Sequence, residues 1–334
     1  MWRPAWHSNA EGTLGCADAT RVFSQRCLCF PAKGTDVRTP QHSAESSIRR
    51  LIGWEHFARI GFPVDSVAAN KLVAFAVWLL TSSGSTLSVL DRTEPKVIQH
   101  IEDAGAVLEA LGDKARRGNW LDIGSGSGLP GLAVAIVLGS RYAEGAEQGI
   151  RNDARGGSGE RGSTPPSPKC RGCGHDHEPP SRVYLLDRAA RRVLTMARTA
   201  VRLRVPVCVL EGEARESGLH VRRAWNIECP AEPAAARLRP LRCWPEKYEV
   251  VTARAVAPLN ETLKLVSAQM GMRGLGVIFV GPRALERAGG LAEVSRLASR
   301  LMLRTELFRP AVFDSRGSLL LLARDEPMSD SDIE

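Results

Sequence analysis

Asp122-Ile-Gly124-Ser-Gly126-Ser-Gly128-Leu-Pro130-Gly131 is the stretch on which the reading of this chain turns. Before it, Trp120-Leu121-Asp122-Ile123-Gly124 has the length and apolarity of a short buried strand that runs into the bend, and after it Leu129–Leu138 is an apolar helical run. Between the two, glycines let the backbone turn tightly and let a ligand approach the main chain. A crevice of this kind suits a small adenosine-containing ligand. Gly126-x-Gly128-x-x-Gly131 formally satisfies the dinucleotide pattern GxGxxG, which is weak alone and keeps a nicotinamide enzyme open as an alternative. Asp122 stands two residues before the first glycine, where a carboxylate can hold an ammonium directly or through water, and Pro130 lacks the N–H that would serve an anion in the first helical turn. Both features favour S-adenosyl-L-methionine.

Outward from this point the period alternates. Strands are expected at Val183–Leu186, Val207–Leu210, Val250–Thr252, Val277–Val280 and Leu319–Ala323, with helices at Ala189–Leu203, Leu259–Met270 and Leu285–Leu303. This alternation implies a Rossmann-like α/β fold, a doubly wound, mostly parallel sheet with helices on both faces. Two stretches break the rhythm and read as loop insertions: about 140–181, rich in Gly, Arg, Ser and Pro, and about 217–246, with Pro230, Pro233, Pro240 and Pro245. Upstream, Leu72, Phe75, Ala76 and Leu79, then Val97, Ile101, Ala104, Val107, Leu108 and Leu111, recur at helical spacing and mark a helical N-terminal extension. The expected organisation is therefore a leader over 1–46, a helical unit over 47–117, the sheet domain over 118–326 and an acidic tail over 327–334.

The 334 residues carry a net charge of +8, with 43% hydrophobic and 25% charged residues. That is ordinary globular composition with a basic excess, which favours a polyanionic partner unless the arginines merely decorate tails and insertions. No apolar run approaches a bilayer span and no secretory h-region is visible, so neither a membrane partner nor secretion is expected. The leader's Arg3, Arg21, Arg26, Lys33 and Arg38 among Ser, Thr and Ala resemble an organellar transit segment; Glu11, Asp18, Asp36 and Glu45 leave a plain tail in the cytoplasm equally open. The eight cysteines show no dense framework spacing, consistent with a reducing compartment. Cys170-x-x-Cys173-x-His175-x-His177 has four zinc-type ligands at a spacing too tight for a standard finger, and no metal is expected.

The glycine stretch, ending in Leu-Pro-Gly131, resembles the first motif of the bacterial-type small-subunit rRNA methyltransferase G family, also called glucose-inhibited division protein B. Thr86-Leu-Ser-Val-Leu-Asp-Arg92 is similar to that family's NLTAIRD stretch and His100-Ile-Glu-Asp103 to its HxxDS element. Thr252-Ala-Arg254-Ala-Val-Ala257 is similar to its SRAxA element, and Arg316 with Leu319–Leu322 to its final strand. The resemblance covers about residues 47–324 without the insertions. It implies a class I methyltransferase fold and methylation of guanine N7 in small-subunit rRNA, with the small ribosomal subunit as partner and a monomer as the working unit. It further implies that Gly124, Leu129, Ala214, Arg215 and Arg254 line the cofactor or active site. The chain departs from the family at Glu213/Arg215, which stand in reverse order, at Val280 where the family carries lysine, and at Thr86 in place of asparagine. These departures keep open a same-fold methyltransferase for protein or small molecules, and an rRNA-binding assembly factor without turnover.

The bend residues Asp122, Gly124, Ser125, Gly126, Gly128 and Leu129 are thus the expected cofactor contacts. Asp187, at the end of the next strand, is expected either to accept from the ribose hydroxyls or to cap the following helix. Arg254 is expected to position cofactor or guanine. His100 and Asp103, one helical turn apart, serve either an active site or the packing of the N-terminal unit. Arg191 and Arg192, with Arg188 and Arg198, make one helix basic, for RNA contact or simply as a solvated face. No general base is assigned, because N7 presents its lone pair without losing a proton; alignment and charge placement are then the main work.

Overall fold

A computed structural model of the chain describes residues 38–82, 93–116, 118–139, 170–171, 183–230, 235–281, 283–310 and 317–324. The resemblance at Thr86–Arg92, Arg316, the Cys173/His175/His177 portion of the ligand-like cluster, most of the first insertion and the acidic tail lie outside these residues.

The strands are β1 (Trp120–Ile123), β2 (Cys170–Arg171), β3 (Val183–Asp187), β4 (Cys208–Arg215), β5 (Gly218–Glu228), β6 (Arg237–Pro240), β7 (Trp244–Pro245), β8 (Tyr248–Arg254), β9 (Met270–Val280), β10 (Leu303–Phe308) and β11 (Ser318–Arg324). Nine of them form one sheet in the order β10-β11-β9-β8-β1-β3-β4-β5-β6, and β2 pairs with β7. β9, β8, β1, β3 and β4 run parallel, whereas β11 is antiparallel to both its neighbours. This is the doubly wound, mostly parallel arrangement expected from the alternating pattern. β1 and β3 are buried along their whole length, as parallel strands covered on both faces must be. Successive side chains alternate between two cores: Val183 and Leu185 pack on one face, Tyr184 and Leu186 on the other.

The helices are α1 (Arg38–Leu51), α2 (Trp54–Arg59), α3 (Ser66–Thr81), α4 (Glu94–Leu111), α5 over residues 131–139, α6 (Ala190–Leu203), α7 (Leu259–Gln269), α8 (Ala284–Arg287) and α9 (Leu291–Arg300). α3, α4, α5 and α6 cover one face of the sheet; α7 and α9 cover the other. The N-terminal helices do not stand apart. Phe75 and Leu108 share a buried cluster with Leu132 and Leu185, and α4 buries residues around most of its circumference, so it needs covering on more than one side. α1 begins at Arg38, ahead of the boundary expected near residue 46.

The stretch expected as a loop from 217 to 246 instead supplies β5 and β6, which extend the sheet antiparallel beyond β4. Pro240 closes the edge strand β6, where pairing tolerates a proline. The helix expected at Leu285–Leu303 is split into α8 and α9 by Gly289 and Gly290, both at positive φ, and the freed end forms β10. β9 is also longer than expected, reaching back to Met270.

Candidate functional site

The glycine bend leaves the carboxyl end of β1, whose own connection leads to β3 on one side, while the connection from its other neighbour, β8, leads away to β9; this reversal of direction makes the usual crevice of a doubly wound sheet. Gly124, Gly126 and Gly128 hold φ of +74°, +56° and +95°, a region that glycine enters freely. The bend is tied to β3: the N–H groups of Gly124 and Ser125 both donate to the Leu186 carbonyl, at 2.8 and 3.0 Å. Its closing turn is held by the N–H groups of Gly128 and Leu129 donating to the Ser125 carbonyl. From Trp120 to Leu138 only Gly124 and Gly126 keep partial solvent access. The bend therefore offers a visitor two bare stretches of backbone on an otherwise buried turn.

Two acids brace it. Asp122 is 1% exposed; its carboxylate accepts from Thr252 Oγ1 at 2.7 Å and from the Gly131 N–H at 3.1 Å. Burial pushes its carboxyl up to about 6, against the opposing pull of the hydrogen bonds from Thr252, Ser125 and Gly131. Asp122 thus straps the bend to β8 from within the core and does not face outward as an exposed ligand. Asp187 accepts from the Gly126 N–H at 3.0 Å and the Ala189 N–H at 2.8 Å, and pairs with Arg192 Nε at 3.1 Å. It therefore joins the bend to the turn before α6, but it does not cap that helix: Ala189 is the N-cap residue and no side-chain cap bond is made there. Arg191 is exposed on the same helix.

Beside the bend, one residue beyond the Ile123–Ala253 pair of β1 and β8, stands Arg254. It borders a cleft of about 610 Å³ across the ends of β8 and β9, closed by α4 with Lys96, Gln99, His100 and Asp103. Arg254 Nη1 pairs with Asp103 Oδ2 at 2.6 Å, Nη2 donates to His100 Nδ1 at 2.9 Å, and the guanidinium lies 5.5 Å from the Phe279 ring centroid. The His100–Asp103 pair thus both docks α4 on the sheet and lines the cleft. Val280 lines it too, where the resembled family has lysine, while Lys96 brings a lysine from α4.

Ala214 and Arg215 lie elsewhere. Beyond the irregularity at Glu211/Gly212, β4 pairs only with β5, Arg215 pairs with Glu213, and its carbonyl accepts from Gln269 at the end of α7. Arg215 borders a second hollow with Arg188, Glu213 and Arg222 that shares no lining residue with the Arg254 cleft. Thr252, Lys96 and Gln99 belong to the site and escaped sequence reasoning. Thr252 alone left a signal: it is the polar residue inside an apolar strand, facing Asp122 across it. Among the described residues no group of His, Cys, Asp and Glu is arranged to hold a metal ion.

No family model matches the chain. The ribosomal RNA small subunit methyltransferase G of Stutzerimonas stutzeri (strain A1501) is 30% identical over 84 residues, 25% of this chain and 38% of that protein. Its namesake from Novosphingobium aromaticivorans is 32% identical over 79 residues, 23% of this chain and 34% of the relative. That of Pseudomonas putida (strain GB-1) is 28% identical over 100 residues, 30% of this chain and 42% of the relative. The matched segment thus spans well under half the length of these relatives. Among solved structures, a magnesium protoporphyrin IX methyltransferase from Synechocystis PCC 6803 with bound SAM overlaps 76% of this chain and 97% of its own at 12% identity and a TM-score of 0.37. A methyltransferase from Pyrococcus furiosus overlaps 78% and 100% at 11% identity and the same TM-score.

Proposed function

We propose that this chain, a relative of the small-subunit rRNA methyltransferase G proteins over the matched segment, binds S-adenosyl-L-methionine at the glycine bend and methylates N7 of a guanine in small-subunit rRNA. The observation that carries the reading is the bend itself, with Gly124 and Gly126 the only partly accessible residues of a buried turn and the Arg254 cleft immediately beside it. The residues fit such a cofactor. A Cβ on Gly124 would stand 2.8 Å from Val256 Cγ2, so only bare backbone fits between the bend and the segment after β8. The Asp187 carboxylate offers about four acceptor positions, of which the Gly126 and Ala189 N–H groups occupy two. Arg192 Nε lies 3.1 Å away as an ion-pair partner without a hydrogen bond, so acceptor capacity remains for a ribose hydroxyl.

When bound, the cofactor supplies an electrophilic methyl group. The chain's own part is to hold guanine N7 in line and to arrange charge around it. A bare guanidinium in the cleft would oppose the positive charge that grows on the purine. Asp103, 2.6 Å from Arg254, offsets that charge, so the cleft can keep a rigid donor without repelling the product. No base is required.

The partner on this reading is the small ribosomal subunit and the acting form is a monomer. Among the described residues no helix is long and apolar enough to cross a membrane. A plastid or mitochondrial address rests on the composition of the leader and is tested by organelle import of the full chain. The activity is tested by incubating the protein with the cofactor and small subunits, then locating methyl groups in the rRNA by mass analysis. The expected product is a single 7-methylguanine; methyl transfer to ribosomal protein alone, or none, overturns the substrate.

A further inference from the structure

The cluster at Arg254 holds one atom that neither packing nor the proposed chemistry has used. Arginine carries N–H donors and no acceptor, so the 2.9 Å contact from Arg254 Nη2 makes His100 Nδ1 an acceptor. The ring then keeps its hydrogen on Nε2, and His100 is a donor there. That nitrogen is buried and has no hydrogen-bond partner among the described residues, although His100 borders the cleft. A buried N–H left unpaired costs free energy unless a ligand or water completes it.

We infer that His100 Nε2–H reads O6 of the target guanine and is the group that distinguishes guanine from adenine. The inference rests on the proposed function. A cleft that aligns N7 also presents the purine's neighbouring edge group to its wall. In guanine that group is the O6 acceptor; in adenine it is the N6 amino donor. A donor fixed at Nε2 completes its hydrogen bond with guanine and meets another donor with adenine. Arg254 is a positioning residue in this scheme: it sets the tautomer by occupying Nδ1, and Asp103 holds Arg254 in place at 2.6 Å. Lys96 lies on the same helix one turn earlier and borders the same cleft. It is a point charge on a flexible stem, and it does not impose the direction that a ring held at Nδ1 imposes.

The test uses small subunits reconstituted with rRNA carrying either guanine or 2-aminopurine at the methylated position. 2-Aminopurine keeps N7 and lacks O6. The wild-type protein is expected to lose roughly 10–100-fold in kcat/KM on the analogue, the range of one buried hydrogen bond left unmade. His100→Leu is expected to be slower on guanine by a similar factor and to show no further loss on the analogue. His100→Gln, whose amide can still donate, restores part of the guanine rate together with part of the analogue penalty. Arg254→Met shrinks the penalty, because the ring is then free to place its hydrogen on either nitrogen; a purely structural arginine would lower both rates equally. Cofactor affinity and melting temperature of each variant show that it is folded. If His100→Leu keeps the full penalty on 2-aminopurine, or methylates guanine as the wild type does, this inference fails while the methyltransferase reading stands. If the wild type methylates no guanine in either substrate, both fail.

Discussion

Asp122→Asn separates two roles that a carboxylate at this position can have. In the structure the acid is 1% exposed and braces the bend through Thr252 and Gly131. Asparagine has the same shape and can satisfy the same partners: its oxygen accepts the Gly131 N–H, and its amide donates to the Thr252 hydroxyl once that hydroxyl rotates. The carboxyl stands near 6 folded against 3.8 for the free group. A pKa raised on folding means that the native state binds the proton more tightly. Its contribution therefore favours the fold below the unfolded value and is lost as the pH rises through about 6. The full shift corresponds to about 3 kcal/mol, and roughly half of that is lost between about pH 5 and about pH 8. Asp122→Asn lacks this dependence. In urea unfolding its stability relative to wild type is expected to rise by about 1.5 kcal/mol between those two conditions. Its affinity for S-adenosyl-L-methionine, measured by calorimetry, is expected to stay within about threefold, or about 0.6 kcal/mol. A flat difference between the two conditions refutes the burial argument, and a loss of affinity beyond about tenfold shows that the carboxylate touches the ligand after all.

Three further outcomes follow from the same geometry. Thr252→Val removes the hydroxyl that supports Asp122 and keeps the shape; it is expected to cost about 1.5–3 kcal/mol at about pH 8, where the acid is charged, and less at about pH 5, as read by chemical denaturation. Gly124→Ala must hold φ near +74° and press on Val256; calorimetry is expected to show at least a tenfold weaker cofactor, with a melting temperature only a few degrees lower. Met302 has φ +55° and is 68% exposed at the end of α9, so Met302→Gly is expected to stabilise the protein by about 0.5–1 kcal/mol without altering cofactor affinity.

The strands that sequence located best are those whose burial leaves a continuous apolar run. Trp120–Ile123 and Val183–Leu186 are buried throughout, and the glycines between β1 and α5 mark a bend of positive φ, a region that side-chain-bearing residues rarely adopt. The parts that went unread have physical reasons too. β5 carries His220, Arg222 and Arg223 toward solvent and buries Leu219, Ala224 and Ile227 through an irregular register, so neither its period nor its proline-rich setting looks like a strand. β10 alternates weakly, with only Leu303 buried, and merged with the helical pattern before it. At the site, Asp187 and Arg254 were legible because they end buried strands. The triangle of His100, Asp103 and Arg254 was not, since it joins residues far apart in the chain. Ala214 and Arg215 were carried to the cofactor or active site by resemblance; β4 continues past Glu211 toward β5 and α7, and Arg215 borders a hollow with Arg188 and Ala189, the residues that follow Asp187.

The most direct test of the account is a crystal structure of the full chain with S-adenosylhomocysteine. Density is expected over Gly124 and Gly126, with a ribose hydroxyl on Asp187 and the sulfur turned toward the His100–Arg254 cleft. Density in the hollow between Arg188 and Arg215 with the bend untouched, or no density at saturating ligand, would contradict it.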